Sequence, residues 1–211
     1  NGAAGIGGAS LDVAPARSTR YINIDGGYIY CVSTASQVTY TIGPGIGAAT
    51  GGNAYSITIN GGTVKVPSRM QGVAAIGSGG TGSAYNIYIY GGTVEAYGHK
   101  QAAAIGSGTS GAVSGIYIYG GNVKAVTSGE NGAGIGSGAT GSVKNIGIYG
   151  GTVYAQGGTN AAGIGSGGSG AVNSIAFRSH ASSTEPLTVT AIGNAGVSST
   201  TVNDIGHGII N

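Results

Sequence analysis

One ten-residue pattern recurs along this chain with a period near 30 residues. The copies ITINGGTVKV from Ile57, IYIYGGTVEA from Ile87, IYIYGGNVKA from Ile116 and IGIYGGTVYA from Ile146 start 30, 29 and 30 residues apart. INIDGGYIYC from Ile22 reads as an earlier copy, and IAFRSHASS from Ile175 as a decayed later one. Between the copies runs a second unit: GIGAATGG near Ile46, then AAIGSGGTG, AAIGSGTSG, AGIGSGATG and AGIGSGGSG, centred on Ile76, Ile105, Ile135 and Ile164. A fixed period of this length predicts a solenoid, in which each repeat forms one coil and buries its apolar side chains only by stacking on its neighbours.

Within a repeat the pattern has the two-residue period of strands. In I-Y-I-Y the Ile87 and Ile89 positions point inward while Tyr88 and Tyr90 point outward. The Gly-Gly that follows turns the chain through a corner. In T-V-E-A the Val and Ala go inward, so Val64, Val94, Val123 and Val153 fall in one buried column, and a third strand around A-I-G adds one Ile per coil. These features predict an all-β chain folded as a right-handed parallel β-helix of about 30 residues per coil and roughly six to seven coils. Coils stacked at the strand spacing of about 4.8 Å would make a rod on the order of 30 Å long. Cys31 falls in the column of Val66, Ala96, Ala125 and Ala155, which predicts a small buried thiol.

Nothing in the composition marks a linker, so residues 1–211 read as a single domain: a partial N-terminal coil or cap over 1–20, regular coils over 21–177 and an irregular C-terminal coil or cap over 178–211. NGAAGIGG, from Asn1 to Gly8, matches the third strand of a coil, so the chain reads as beginning mid-turn. Ala181 to Thr190, with Glu185 and Pro186, breaks the repeat and reads as part of a cap, since a bare solenoid end is an unpaired sheet edge. With neither an initiator Met nor a signal sequence, the chain reads as a mature or excised segment.

Composition removes several classes. The 47 Gly are irregularly spaced and there are only 4 Pro, which excludes collagen. A chain that is 40% hydrophobic with a formal charge of +2 should fold rather than stay disordered. Its eight Lys and Arg are scattered among six acids, without the basic stripe that tracks a phosphate backbone, so nucleic acid is not an expected partner. No apolar run approaches the roughly 20 residues of a membrane span, so no membrane insertion is expected. The G-x-G-x-x-G of Gly77, Gly79 and Gly82 recurs from Gly106, Gly136 and Gly165. A dinucleotide site needs one such loop opening a helix, whereas here each is followed by another strand, so these glycines read as corners and no cofactor is expected.

The residues GGTVEAYG, AAGIGSGGSG and ITINGGTVKV, and with them the span from about Tyr21 to Phe177, resemble the Gly-rich right-handed β-helix repeats of large surface proteins of anaerobic, often gut-dwelling, bacteria. The resemblance implies an extracellular or cell-surface place and a non-catalytic role, and some relatives look like carbohydrate-binding β-helices. The calcium-binding, polygalacturonate-binding members of the broader group carry Asp within the repeat; this chain has Gly or Ser there, which argues against both ligands.

Other right-handed β-helices cleave polysaccharides, a chemistry that needs acids, or an acid with Lys or Arg, on one face. Asp12, Asp25, Glu95, Glu130, Glu185 and Asp204 share no column in adjacent coils. His99, His180 and His207 lack metal-ligand spacing to a second His or to Cys. No catalytic residues and no metal site are therefore expected. What remains is surface. Tyr90, Tyr119 and Tyr149 form an outward column that Asn60 and Asp25 extend, and Tyr88 and Tyr117 form a second beside it. Such columns suit either an aromatic ladder that strengthens stacking or a platform for sugar rings or another protein. On the third strand Ala75, Ala104, Gly134 and Gly163 read as a bare outward face for lateral contact between rods. The reading is a non-enzymatic extracellular structural or adhesive module, self-associating end to end or laterally as a filament or surface array. A polysaccharide-binding module using the Tyr columns is the alternative. Ice binding ranks third, because Thr63, Thr93 and Thr152 align but Asn122 interrupts them.

Overall fold

A computed structural model of the chain describes residues 3–9, 18–32, 43–68, 70–178, 186–194 and 205–206. Its strands are parallel and fall into three sheets, of seven, six and six strands, with successive strands of each sheet contributed by successive coils. The I-x-I-x sheet runs in order through Thr19–Ile24, Ala54–Ile59, Ala84–Ile89, Val113–Ile118, Ile146–Ile148 and Ile175–Phe177. The T-V-x-A sheet runs through Tyr28–Tyr30, Thr63–Pro67, Thr93–Gly98, Asn122–Thr127, Thr152–Thr159 and Thr188–Asn194. The A-I-G sheet is built of short strands, among them Ile76–Gly79, Ile105–Gly106 and Ile135–Gly136.

Pairing is in the register that the repeats dictate: Ile87 opposite Ile57 and Ile116, and Val123 opposite Val94 and Val153. A one-residue slip would turn every Ile outward, so burial of this face fixes the register. Ile57, Ile87, Ile116 and Ile146 with Ile59, Ile89, Ile118 and Ile148 form two core columns at or near zero exposure, and the Val column and Ile76, Ile105, Ile135 and Ile164 complete the same core. Each such side chain contributes roughly 1.5–3 kcal/mol by burial.

The stack continues past the expected end of regular coils at residue 177. Thr188, Val189 and Ala191 pair in register with Thr152, Val153 and Ala155, and Ile205 pairs with Ile164. T-V-T-A at 188–191 is thus a further copy of T-V-Y-A, displaced because 36 rather than 30 residues separate Thr188 from Thr152. At the other end Ile6 pairs with Ile46, as the match of NGAAGIGG to a third strand requires. The proposed cap residues 181–185 lie outside the described residues.

Two expectations about the A-I-G unit are corrected. Its first glycine is not a simple corner. Gly77, Gly106 and Gly136 hold φ of 133°, 135° and 135°, and a Cβ on each would fall on the carbonyl oxygen of the glycine one coil on, Gly106, Gly136 and Gly165. Close approach between coils, together with this φ, requires glycine at every level. Nor do Ala75, Ala104, Gly134 and Gly163 form a bare outward face. Ala75 and Ala104 are fully buried in the core, and a Cβ on Gly134 would stand 2.7 Å from the amide nitrogen of Gln156 and the carbonyl oxygen of Gly163. The unit folds back on itself, with Ala103 N–H donating to the Ser107 carbonyl (3.1 Å), and presses its small residues against the T-V-x-A backbone. Small side chains are needed there for packing inside the coil rather than outside it.

Gly106→Ala should destabilise the fold by about 3 kcal/mol or more, through combined backbone strain and clash. Gly26, around which no atom lies within 4 Å of a built Cβ, is the control, and Gly26→Ala should change stability by less than about 0.5 kcal/mol. Thermal melts of the two variants beside the parent distinguish the outcomes.

Candidate functional site

The alternation of I-Y-I-Y sends the two Tyr columns to the outside of one sheet, and the structure brings all five rings together. Tyr90 and Tyr119 stack with centroids 4.9 Å apart and planes 8° from parallel. Tyr88 and Tyr117 stack at 5.5 Å and 18°, and Tyr88 meets Tyr90 at 6.2 Å. Tyr149 continues the first column at 5.1 Å from Tyr119 but tilts by 35°. The cause is local: Gly147 stands where the Tyr88 and Tyr117 column would continue, and the Tyr149 ring leans over it, so that a Cβ on Gly147 would meet the Tyr149 hydroxyl.

Parallel in-register strands hold identical side chains one strand spacing apart, close to the thickness that two offset aromatic rings occupy. The ring faces are therefore turned along the stacking axis and toward each other, leaving edges and hydroxyls toward solvent. Burial first, and then the neighbouring Tyr117 and Tyr90 phenols, raise the Tyr88 pKa above the ordinary phenol range; Tyr119 is raised in the same way, with Tyr90 and Tyr149 its nearest phenols. At the N-terminal end the column passes into polar side chains: Asn60 Nδ2 donates to Asp25 (2.7 Å) and to Asn23 (3.1 Å), and Asn23 Nδ2 donates to Asp25 (2.9 Å).

Three arrangements escaped the sequence reading. Tyr55 and Tyr85 form another stack at 4.8 Å and 8°, and the Arg20 guanidinium lies 4.7 Å over the Tyr55 ring. The 30-residue separation of Tyr55 and Tyr85 was the available signal. Ser78, Ser107, Ser137 and Ser166 are fully buried, and each hydroxyl donates to the carbonyl four residues on, at 2.5–2.7 Å. This closes the I-G-S-G-x-x-G loop and explains the recurrence of Ser in these four coils; in the coil before them Ala48 takes the place of Ser78. In the third, the strand path bends at a residue with left-handed backbone, Tyr21, Ser56, Asn86 and Gly115 in successive coils. The bend comes just before the I-x-I run, and nothing in the hydrophobic alternation marks it.

Glu95 pairs with Lys65 of the preceding coil at 3.3 Å and faces Lys124 of the next in register. The hydrogen bond to Glu95, and then its charge, raise the Lys65 pKa. The pair's contribution to stability is thus present at neutral pH and is lost as pH rises past the ordinary lysine value through the raised one; on a surface this exposed it is small. His99 follows the Thr93–Gly98 strand, and its Nδ1 is buried without a partner. Among the described residues no three of His, Cys, Asp and Glu gather within reach of one metal ion, and no helix is long and apolar enough to cross a membrane. Asp12, Glu185, Asp204, His180 and His207 lie outside the described residues. Cys31 takes its expected place beside the column of Val66, one residue past the Tyr30–Lys65 pair and with its N–H donating to the Lys65 carbonyl (3.0 Å); it is buried, and desolvation raises its thiol pKa. The Thr column is single-file, Tyr28–Thr63–Thr93–Asn122–Thr152–Thr188.

Parallel strands stacked in register around one continuous core make this molecule a β-solenoid. Residues 57–80, 87–109, 116–139 and 146–168 match the beta helix repeat family. Each matched segment opens on the first Ile of the I-x-I strand and ends in the Gly-rich loop, the same unit that the structure stacks, and the chain is a parallel β-helix repeat protein. No curated protein and no solved structure matches the chain.

Tyr119 stacks on two rings, so Tyr119→Ala should cost about 1–3 kcal/mol, whereas Tyr119→Phe keeps the ring and should be close to neutral. Chemical denaturation of both variants reads this difference. Because Cys31 is buried, which shields the sulfur from reagent and raises its thiol pKa, alkylation by iodoacetamide near pH 8 should be at least tenfold slower in the native protein than after denaturation. Equal rates would place the thiol in solvent.

Proposed function

We propose that this chain is a non-enzymatic structural module, a stiff β-solenoid segment used as a spacer or scaffold outside the cell. The observation that carries this reading is the orientation of the Tyr rings. A sugar-binding platform offers ring faces to the ligand, whereas here the faces of Tyr88 and Tyr117, and those of Tyr90 and Tyr119, are turned toward one another along the stacking axis. The Lys65–Glu95 pair and the four buried serines are likewise used between or within coils. Placement outside the cell, on a bacterial surface, follows from the resemblance of the repeats to those of bacterial surface proteins. Self-association, end to end as a filament or array, is the partner reading consistent with a stack whose unit recurs at one strand spacing.

The test pairs two measurements. Electron microscopy of the native material with its mass in solution should give rods, and a glycan array probed with the parent and with Tyr90→Ala/Tyr119→Ala/Tyr149→Ala should show the same profile for both, while the triple variant melts at lower temperature. Glycan retention by the parent that disappears in a still-folded triple variant would replace this reading with polysaccharide binding.

A further inference from the structure

We propose that Tyr90 and Tyr119 form a site of oxidative modification, at which a one-electron oxidant such as a haem peroxidase with hydrogen peroxide joins two consecutive coils through an o,o′-dityrosine bond. The inference goes beyond the structural role and stands independently of it, on the geometry of one pair. The register that sets Ile118 opposite Ile89, with Tyr119 N–H donating to the Ile89 carbonyl, holds the two residues one coil apart at equivalent positions, and their rings are parallel within 8° at 4.9 Å. The carbons ortho to the two hydroxyls are therefore neighbours. Both rings also have solvent on their edges, at 49% exposure for Tyr90 and 36% for Tyr119, so an oxidant reaches the hydroxyls without opening the fold.

The chemistry balances within the pair. Each phenol gives up one electron and its hydroxyl proton, and one hydrogen peroxide accepts both electrons and both protons to leave two waters. The resulting phenoxyl radicals carry spin density at the ortho carbons, a carbon–carbon bond forms between one ortho carbon of each ring, and the two ring hydrogens at that bond shift to the oxygens to restore both phenols. The product has lost two hydrogen atoms. Tyr88 and Tyr117, less parallel and 5.5 Å apart, are a second and slower pair by the same criteria.

Exposure and geometry make opposite forecasts, which makes the proposal testable. Tyr21, Tyr28 and Tyr30 are more open to solvent, at 80%, 66% and 59%, and have no stacked partner ring among the described residues. The folded protein is treated with horseradish peroxidase and limiting hydrogen peroxide, followed by dityrosine fluorescence, intact mass and peptide mapping. The expected result is a monomeric product lighter by two hydrogens, with Tyr90 linked to Tyr119 and a yield per molecule independent of protein concentration. Tyr119→Phe, which keeps the stack, should lower that intramolecular yield at least fivefold. Cross-links confined to chain-to-chain products, or centred on Tyr21, Tyr28 and Tyr30, or an unchanged yield in Tyr119→Phe, would overturn the proposal.

Discussion

Hydrogen bonding between coils at one strand spacing is the constraint on which the rest of this molecule depends. Once Ile105 must lie over Ile76 and under Ile135, every other position of the coil is also forced over its equivalent. Whatever residue occupies a position then faces the equivalent residue of the next coil at about 4.8 Å. Side chains that profit from their own kind at that distance persist in columns: Ile and Val by apolar contact, Tyr by ring stacking. Charges do not, and where they occur they alternate in sign, as Lys65, Glu95 and Lys124 do. A chain governed by this rule has little charge and much repetition, which is the composition observed.

The same constraint sets what was legible in the sequence. The sheets, the register and the Ile, Val and Tyr columns could be read because each follows from a two-residue alternation repeated at a fixed period. The A-I-G unit was misread in part. Alternation places Ala75, Ala104, Gly134 and Gly163 outside, but the chain there folds back within a few residues, so inside and outside are exchanged. The backbone bend at Ser56 and Asn86 was hidden for a related reason: it is carried by φ, and no side-chain pattern reports it. T-V-T-A at 188–191 was missed because a longer connection shifts it out of period, while stacking returns it to register.

Residue types that invite functional readings are absorbed by architecture here. The recurrent G-x-G-x-x-G looks like a phosphate cradle, yet its first glycine makes room for the next coil and its last offers a carbonyl to a buried serine hydroxyl. The tyrosines of the two columns, too, turn their faces to each other. A motif repeated once per coil answers to a need that recurs once per coil. A ligand site, by contrast, is expected where the repetition breaks, and the breaks in the Tyr surface are Asn60 with Asp25 at one end and Gly147 at the other.

The orientation of the ladders has a mechanical consequence. The bonds joining one coil to the next lie parallel to the rod, while the chain itself runs around it. A pull on a chain terminus therefore loads only the outermost coil's bonds, and they open one after another rather than all together. Each coil released frees about 30 residues, roughly 100 Å of extended chain, from a step of about 4.8 Å in the rod. Such a molecule is stiff until its end coil yields, and from then on it lengthens about twentyfold per coil while the remaining coils keep their structure.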